Sequence, residues 1–186
     1  VICGFGRTGK MFACETFGIE PDVLVLSKQI SSSYLPLSAI LMNDRFYQPI
    51  ADESDRIGSF GHGFTASGHP VATAVGLENL KIIEERDLVG WAAARSPRFL
   101  ERLHGLAGHP LVHSARGIGL IGALELKAWD NVGDAGTAAA LACEAEGVIT
   151  RAIGDSICFC PPLIITDEQI DEMFDGVGRA IEAVAR

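Results

Sequence analysis

Apolar and polar positions follow three rhythms along this chain. In its first part the apolar residues come in short unbroken runs. "VLVL" (Val23 to Leu26) is a continuous β-branched and leucine run, the pattern of a strand buried on both faces. "LSAILM" (Leu37 to Met42) reads as its neighbour, and residues 1 to 42 as a whole read as short strands and tight turns punctuated by Gly and Pro. Asn43-Asp44 then caps a short helix to about Ile50, and residues 51 to 69, rich in Gly, Ser and His, read as loop.

Helical spacing takes over next. Pro70 suits the first turn of a helix that "VATAVGLENLKIIEER" carries to about Arg86. Apolar residues circle most of that helix, which predicts deep burial or packing between domains. A second helix is predicted from about Leu88 to Leu106, kinked or interrupted at Pro97.

From about Leu111 strict alternation begins. In "GLIGALEL", Leu120, Gly122, Leu124 and Leu126 share one strand face, while Ile121, Ala123, Glu125 and Lys127 share the other. Asp134 to Glu146 is an Ala-rich helix stopped by Gly147. "GVITRAIGDSICFC" reads as a hairpin with Gly154-Asp155 as its two-residue loop, a register that sets Arg151 opposite Cys158. Thr166 and Gln169 form a capping box ahead of a last helix, whose Ile170, Met173, Phe174, Val177, Ile181 and Val184 share a face. An α/β head and a small α+β tail are the expected layout.

Composition narrows the function classes. With 186 residues, 48% hydrophobic and 21% charged, the chain has an ordinary globular make-up. Lys and Arg number 15 against 24 Asp and Glu, for a net charge of −9 without basic clusters, which argues against nucleic acid as partner. No apolar run approaches the ~20 residues of a membrane span, and no signal peptide is visible. The five cysteines, Cys3, Cys14, Cys143, Cys158 and Cys160, are odd in number and lack C-x-x-C spacing. They predict unbridged, buried thiols in a reducing compartment, with the cytoplasm as default. The five histidines make no metal-ligand spacing with them, so no metal is expected. The chain starts without Met inside an apolar stretch, as a piece of a longer protein would.

"GFGRTGK" (Gly4 to Lys10) fits two phosphate-binding patterns. The P-loop needs Ser or Thr after the Lys, and Met11 stands there. The dinucleotide fingerprint needs a full strand before it and a helix after it. Here only "VIC" precedes Gly4, and any helix from Lys10 is cut short by Gly18 and Pro21. The better reading is a Gly-rich turn whose small residues let backbones pack closely.

The chemistry-bearing candidate is Lys28, at the end of the "VLVL" strand. A lysine at a strand exit can snorkel its ammonium to water. Desolvated there, it becomes an amine of lowered pKa able to attack a carbonyl and form a Schiff base. Carboxyl ends of strands in open α/β sheets are where ligands bind.

"GFGRTGKMF…PDVLVLSKQISSSYLPLSA" with "GHGFTASGHPVATAV" resembles the class III aminotransferases, pyridoxal-phosphate (PLP) enzymes of fold type I. "GVITRAIGDSICFCPPLIIT" is most similar to their ω-transaminase branch, the amine- or β-amino-acid:pyruvate enzymes. The resemblance runs over essentially the whole chain. It implies an α/β PLP-dependent transferase of fold type I: residues 1–86 the C-terminal part of the PLP-binding large domain with its connecting helix, residues 87–186 a small α+β domain. It also implies that "GFGRTG" is a structural turn near a dimer interface.

By the same resemblance Lys28 forms the internal aldimine with PLP and then moves the proton between substrate and cofactor carbons. Ser27 and Gln29 flank it where Ala and Gly are commoner in the family. Phe64 and Thr65 of "GFTASGHP" are implied in cofactor binding, Thr65 through the phosphate of the neighbouring subunit of a homodimer. On its own, Thr65 reads better as a loop threonine bonding its own backbone. Arg151 matches the arginine that pairs with a substrate carboxylate and swings aside for apolar amines; the plainer alternative is a strand arginine paired with a surface glutamate. The substrates implied are a small amine or amino acid and a keto acid, with pyruvate the expected acceptor. Aminomutases and decarboxylases share the scaffold, and a non-catalytic truncated product is the alternative from another class. The family's Asp at the pyridine nitrogen, its phosphate loop and its ring-stacking aromatic are expected upstream of Val1, so this chain alone is expected to be inactive.

Overall fold

The computed structural model describes residues 1–185, which pack as two compact units. The first comprises Val1–Phe5 and Lys10–Asp87, and the second Gly6–Gly9 and Leu88–Arg186.

In the first unit, α1 (Ala13–Phe17) is a five-residue helix stopped by Gly18 at φ 61, so the opening segment is turn and short helix rather than strand. Strand β1 (Val23–Leu26) pairs antiparallel with β2 (Ala39–Met42), Val25 opposite Ile40. Among the described residues these two strands form a sheet by themselves. The expected burial on both faces is not met: Leu26 is buried, but Val25 is 49% exposed, because an unbroken apolar run fixes a strand's appetite for cover and not the cover itself.

Helix α2 runs from Asp44 to Ile57, about two turns past the expected stop. Asn43 caps its start, Gly58 at φ 77 ends it, and Pro49 is accommodated within. Side-chain contacts from Gln48 to Asp52 and from Arg56 to Glu53 support the extra length. Helix α3 (Pro70–Glu85) starts at Pro70 as expected, but its burial is one-sided. Ala72, Gly76, Asn79 and Ile83 form the buried stripe, and Val71 and Leu77 are exposed.

In the second unit, α4 (Leu88–Gly105) passes through Pro97 without interruption. Pro97 and Ala93, whose carbonyl it leaves without a helical partner, are both exposed, so water can satisfy that group. Strands β3 (Val112–Ile118), β4 (Ile121–Leu126), β5 (Arg151–Ile153) and β6 (Ser156–Phe159) form an antiparallel sheet in the order β3-β4-β6-β5. Gly122, Leu124 and Leu126 face the core as the alternation predicts. Helices α4, α5 (Asp134–Ala145) and α6 (Asp167–Val184) pack on this sheet and each other, with Phe174 edge-on to Phe99 and tilted against Phe159 at the centre. The Thr166–Gln169 capping box forms in both directions at the start of α6.

Of the cysteines only Cys143 is buried; Cys160 is exposed and the rest are half-buried, which corrects the expectation of buried thiols. Burial, and then the charge of Glu146, push the Cys143 thiol up to about 11. Among the described residues no helix is long and apolar enough to cross a membrane, and no cluster of His, Cys, Asp and Glu could hold a metal ion.

Candidate functional site

The glycine-rich opening stretch is a packing device. Gly6 and Gly9 adopt φ of 109 and 78, values that favour glycine. A Cβ on Gly9 would lie 3.1 Å from the Cα of Ala93 in α4. Arg7 donates from Nη1 to the carbonyl of Leu120 at 3.1 Å and to that of Pro161, tying the turn to the second unit's sheet. The Gly9 amide donates to the Gly6 carbonyl at 2.9 Å, and the missing side chains make room for the neighbouring helix, as the close-approach reading expects.

Strand β1 delivers the chain to Ser27, whose Oγ donates to the Leu37 carbonyl at 3.4 Å. Lys28 follows at φ 54, in the left-handed region, which costs a non-glycine residue about 1–2 kcal/mol. It opens a 3₁₀ turn, Lys28–Ile30, and Ser32 and Ser33 continue at φ 47 and 64. Three such residues within six positions persist only where the surroundings hold them. The holding residue is Asn79 of α3, 8% exposed. Its Nδ2 donates to the carbonyls of Gln29 (2.7 Å) and Ile30 (3.3 Å), and its Oδ1 accepts from Ser32 Oγ at 2.7 Å. Gln29 Nε2 adds a bond to Ser32 Oγ at 2.8 Å, and Ser31 Oγ reaches the Leu35 carbonyl at 2.7 Å.

The Lys28 side chain itself is exposed, so of the two readings of a lysine at a strand exit the one with its ammonium in water is seen here. The physical reason is the open faces of the β1–β2 pair: nothing among the described residues covers the strand end. Its ammonium makes no hydrogen bond or ion pair among the described residues, although acidic residues outnumber basic ones over the chain.

Asn79 was not singled out from the sequence. Its signal was an amide at the third position of the buried stripe Ala72, Gly76, Asn79, Ile83, where a polar side chain must find buried partners.

Phe64 and Thr65 lie in the loop between α2 and α3. The Phe64 amide donates to Ser67 Oγ at 3.0 Å and the Ser67 amide to the Phe64 carbonyl at 2.9 Å, closing a turn with Thr65 at its first corner. Ser67, not Thr65, therefore makes the local backbone bond, and the Thr65 hydroxyl is exposed without a partner among the described residues. Phe64 is 75% exposed and edge-on to His62, with ring centroids 5.4 Å apart. His69 Nδ1 accepts from the Val71 amide at 3.2 Å, so this histidine works as a helix cap.

Arg151 belongs to the second unit, at the start of edge strand β5. The hairpin has the expected register, Arg151 opposite Cys158 and Ile153 opposite Ser156 across Gly154-Asp155. Arg151 is exposed, and no glutamate pairs with it among the described residues.

The donor set suits a phosphorylated aldehyde. Lys28 offers a primary amine without a salt-bridge partner, and Thr65 offers an unengaged hydroxyl on a glycine-flanked turn. Both are groups that such a ligand would take up.

Comparison with known proteins identifies the family. The family model for class III aminotransferases matches residues 1–181. A γ-aminobutyrate transaminase of Solanum lycopersicum is 39% identical over 98% of this chain and 36% of its own length. A putrescine–pyruvate aminotransferase of Pseudomonas aeruginosa is 38% identical over 100% of this chain and 41% of its own. Among solved structures, a transaminase with L-alanine superposes with a TM-score of 0.98 at 53% identity, covering 100% of this chain and 45% of that one. The ω-transaminase of Pseudomonas jessenii in complex with PMP gives 0.96 at 49% identity, over 100% and 42% of the two chains. The chain thus spans about two-fifths of the length of these relatives.

Proposed function

The chain belongs to the class III aminotransferases, and from that membership we propose that it forms the lysine-bearing part of a PLP-dependent transaminase. The whole enzyme moves an amino group from an amine or amino acid to a keto acid, with pyruvate as acceptor. The observation that carries this reading is Lys28: a strained residue at the end of a strand, locked by a buried asparagine, with its amine unengaged.

PLP, when bound, supplies the conjugated ring that withdraws electrons from the substrate carbon. Lys28 Nζ would be the atom that holds the cofactor through its aldehyde. The same nitrogen, when free, would act as the general base that takes the proton from the substrate carbon and as the acid that gives it back. A compact, mobile amine on a four-carbon stem suits both tasks. The left-handed backbone at Lys28 fixes where that stem starts. Thr65, exposed on the Phe64–Ser67 turn, would bind the phosphate of the neighbouring subunit's PLP in a homodimer, with Phe64 beside it.

Arg151 pairs with the carboxylate of an amino acid or of pyruvate through two parallel N–H bonds that a lysine cannot supply. Its exposure and freedom from a fixed partner support that role. Relatives named for γ-aminobutyrate and for putrescine with pyruvate include one donor with a carboxylate and one without. An arginine that can engage or stand aside serves both.

The test is made on the whole enzyme loaded with PLP: incubate it with an amine donor and pyruvate, and measure alanine and the donor's carbonyl product. Stoichiometric transfer is expected. Release of CO₂, or a shift of the amino group within one molecule, would place the enzyme elsewhere in the family, and no turnover by a folded, PLP-loaded protein would reject the reading.

A further inference from the structure

The hairpin that carries Arg151 is short. Strand β5 has three residues, lies at the sheet edge and pairs with β6 alone. Backbone bonding of that extent leaves a strand free to tilt, and a two-pronged arginine–carboxylate contact tolerates little tilt. The stiffness of the hairpin comes from α5.

The N-cap of helix α5 is Gly133, which stands at φ 94 and has no side chain with which to cap the helix. The first amides of a helix lack internal partners, and its N-terminal end attracts negative charge. The missing cap arrives from the hairpin turn. Asp155 Oδ1 accepts from the Gly133 amide at 3.0 Å and from the Gly136 amide at 3.3 Å. The Asp155 carbonyl accepts from the Leu126 amide at 2.8 Å, fastening the turn to the end of β4 as well.

The fit is close. A Cβ on Gly136 would lie 2.9 Å from the Asp155 Cα and collide with the Gly154 carbonyl, so α5 rests directly on the turn. At the other end of the hairpin, Thr150 Oγ1 donates to the Cys158 carbonyl at 2.8 Å, one residue from Arg151.

We propose that Asp155 is a positioning residue for Arg151: by capping α5 it locks the β5–β6 hairpin in the orientation from which the guanidinium meets a substrate carboxylate. This rests on the reading of Arg151 as the carboxylate-binding residue. Asp155 touches neither substrate nor cofactor. Its effect is therefore selective for substrates that use Arg151, which a general stability effect is not.

The experiment uses the whole PLP-loaded enzyme and follows the half-reaction with a single donor, either alanine or 1-phenylethylamine, which has no carboxylate. Asp155→Ala is expected to raise the half-saturating alanine concentration on the order of tenfold while leaving 1-phenylethylamine within about twofold. Asp155→Asn keeps an acceptor oxygen and loses the charge, so it falls between. Adding Asp155→Ala to Arg151→Ala changes nothing further for alanine. Independently of turnover, hydrogen exchange should accelerate in Asp155→Ala at the amides of Gly133 and Gly136 and through residues 151–159.

Equal losses for both donors, or an unchanged response to alanine, overturn the positioning role. Unchanged exchange at Gly133 and Gly136 overturns the clamp itself. If Arg151→Ala fails to separate the donors, it is the carboxylate reading that falls, and this proposal with it; if Arg151→Ala separates them and Asp155→Ala does not, only this proposal falls. Should Asp155→Ala not fold, Asp155→Asn decides the question on the same selective criterion.

Discussion

Gly119 rests on the backbone of Thr8 so closely that a Cβ there would lie 2.5 Å from the Thr8 Cα and collide with the Arg7 carbonyl. The same carbonyl accepts the Leu120 amide at 2.9 Å. The glycine-rich opening turn is thus built into the second unit by contact with a glycine more than a hundred residues away.

That contact predicts a difference between two substitutions. Gly119 and Gly147 both have positive φ, 60 and 82, but nothing lies within 4 Å of a Cβ at Gly147. Gly147→Ala in the whole enzyme is expected to cost the left-handed strain alone, about 1–2 kcal/mol. Gly119→Ala adds a backbone collision and should lower the midpoint of denaturant unfolding considerably further. Similar midpoints for the two variants would contradict the close approach.

Asn79 carries the second prediction. Asn79→Leu removes two bonds to the carbonyls of Gln29 and Ile30 and the acceptor for Ser32, leaving buried polar groups unpaired. An expected cost of about 1–3 kcal/mol follows. The effect should concentrate on the lysine turn, so exchange at the amides of Ile30 to Ser32 should accelerate more than exchange in α6. Uniform acceleration would mean that Asn79 serves the fold and not the turn.

How much of this was legible beforehand depended on what fixed each feature. The β5–β6 register followed from strand alternation and a Gly-Asp turn, since a two-residue loop leaves one parity for Arg151 and Cys158. The capping box at Thr166 and the start of α3 at Pro70 are likewise local chemistry. The continuation of α2 past Ile50 is masked by loop-like composition, because its added turns are supported by side-chain contacts, Gln48 to Asp52 and Arg56 to Glu53, and not by an apolar stripe. The exposure of Val25 and Lys28 was unreadable because it depends on what lies over a strand. The second role of Asp155, beyond its place in the turn, requires α5 to arrive at that turn, which no local pattern encodes.

The third prediction concerns acid. Arg98 Nε and Nη2 donate to Asp171 Oδ1 and Oδ2 at 2.8 Å each, and Arg102 also pairs with Asp171, joining α4 to α6. Hydrogen bonds from Arg98, then the charges of Arg98 and Arg102, hold the Asp171 carboxyl below the ordinary aspartate range. A carboxyl depressed in the folded state contributes stability above its unfolded value of about 4, and that contribution is lost as pH falls through the folded value. Asp171→Asn should therefore lower the thermal midpoint at pH 7 and flatten its fall from about pH 5 downward. An unchanged pH profile in the variant would show that the pair contributes nothing to acid sensitivity.

The central claim is that Lys28 is the residue through which this protein holds its cofactor, and one measurement addresses it directly. The whole enzyme, loaded with PLP, is reduced with borohydride, digested and mapped by mass spectrometry, alongside Lys28→Ala treated in the same way. The pyridoxyl mass should appear on the peptide containing Lys28 and on no other, and the variant should fold, carry no label and transfer no amino group. Label on Lys10, Lys81 or Lys127, or an active Lys28→Ala enzyme, would contradict the account.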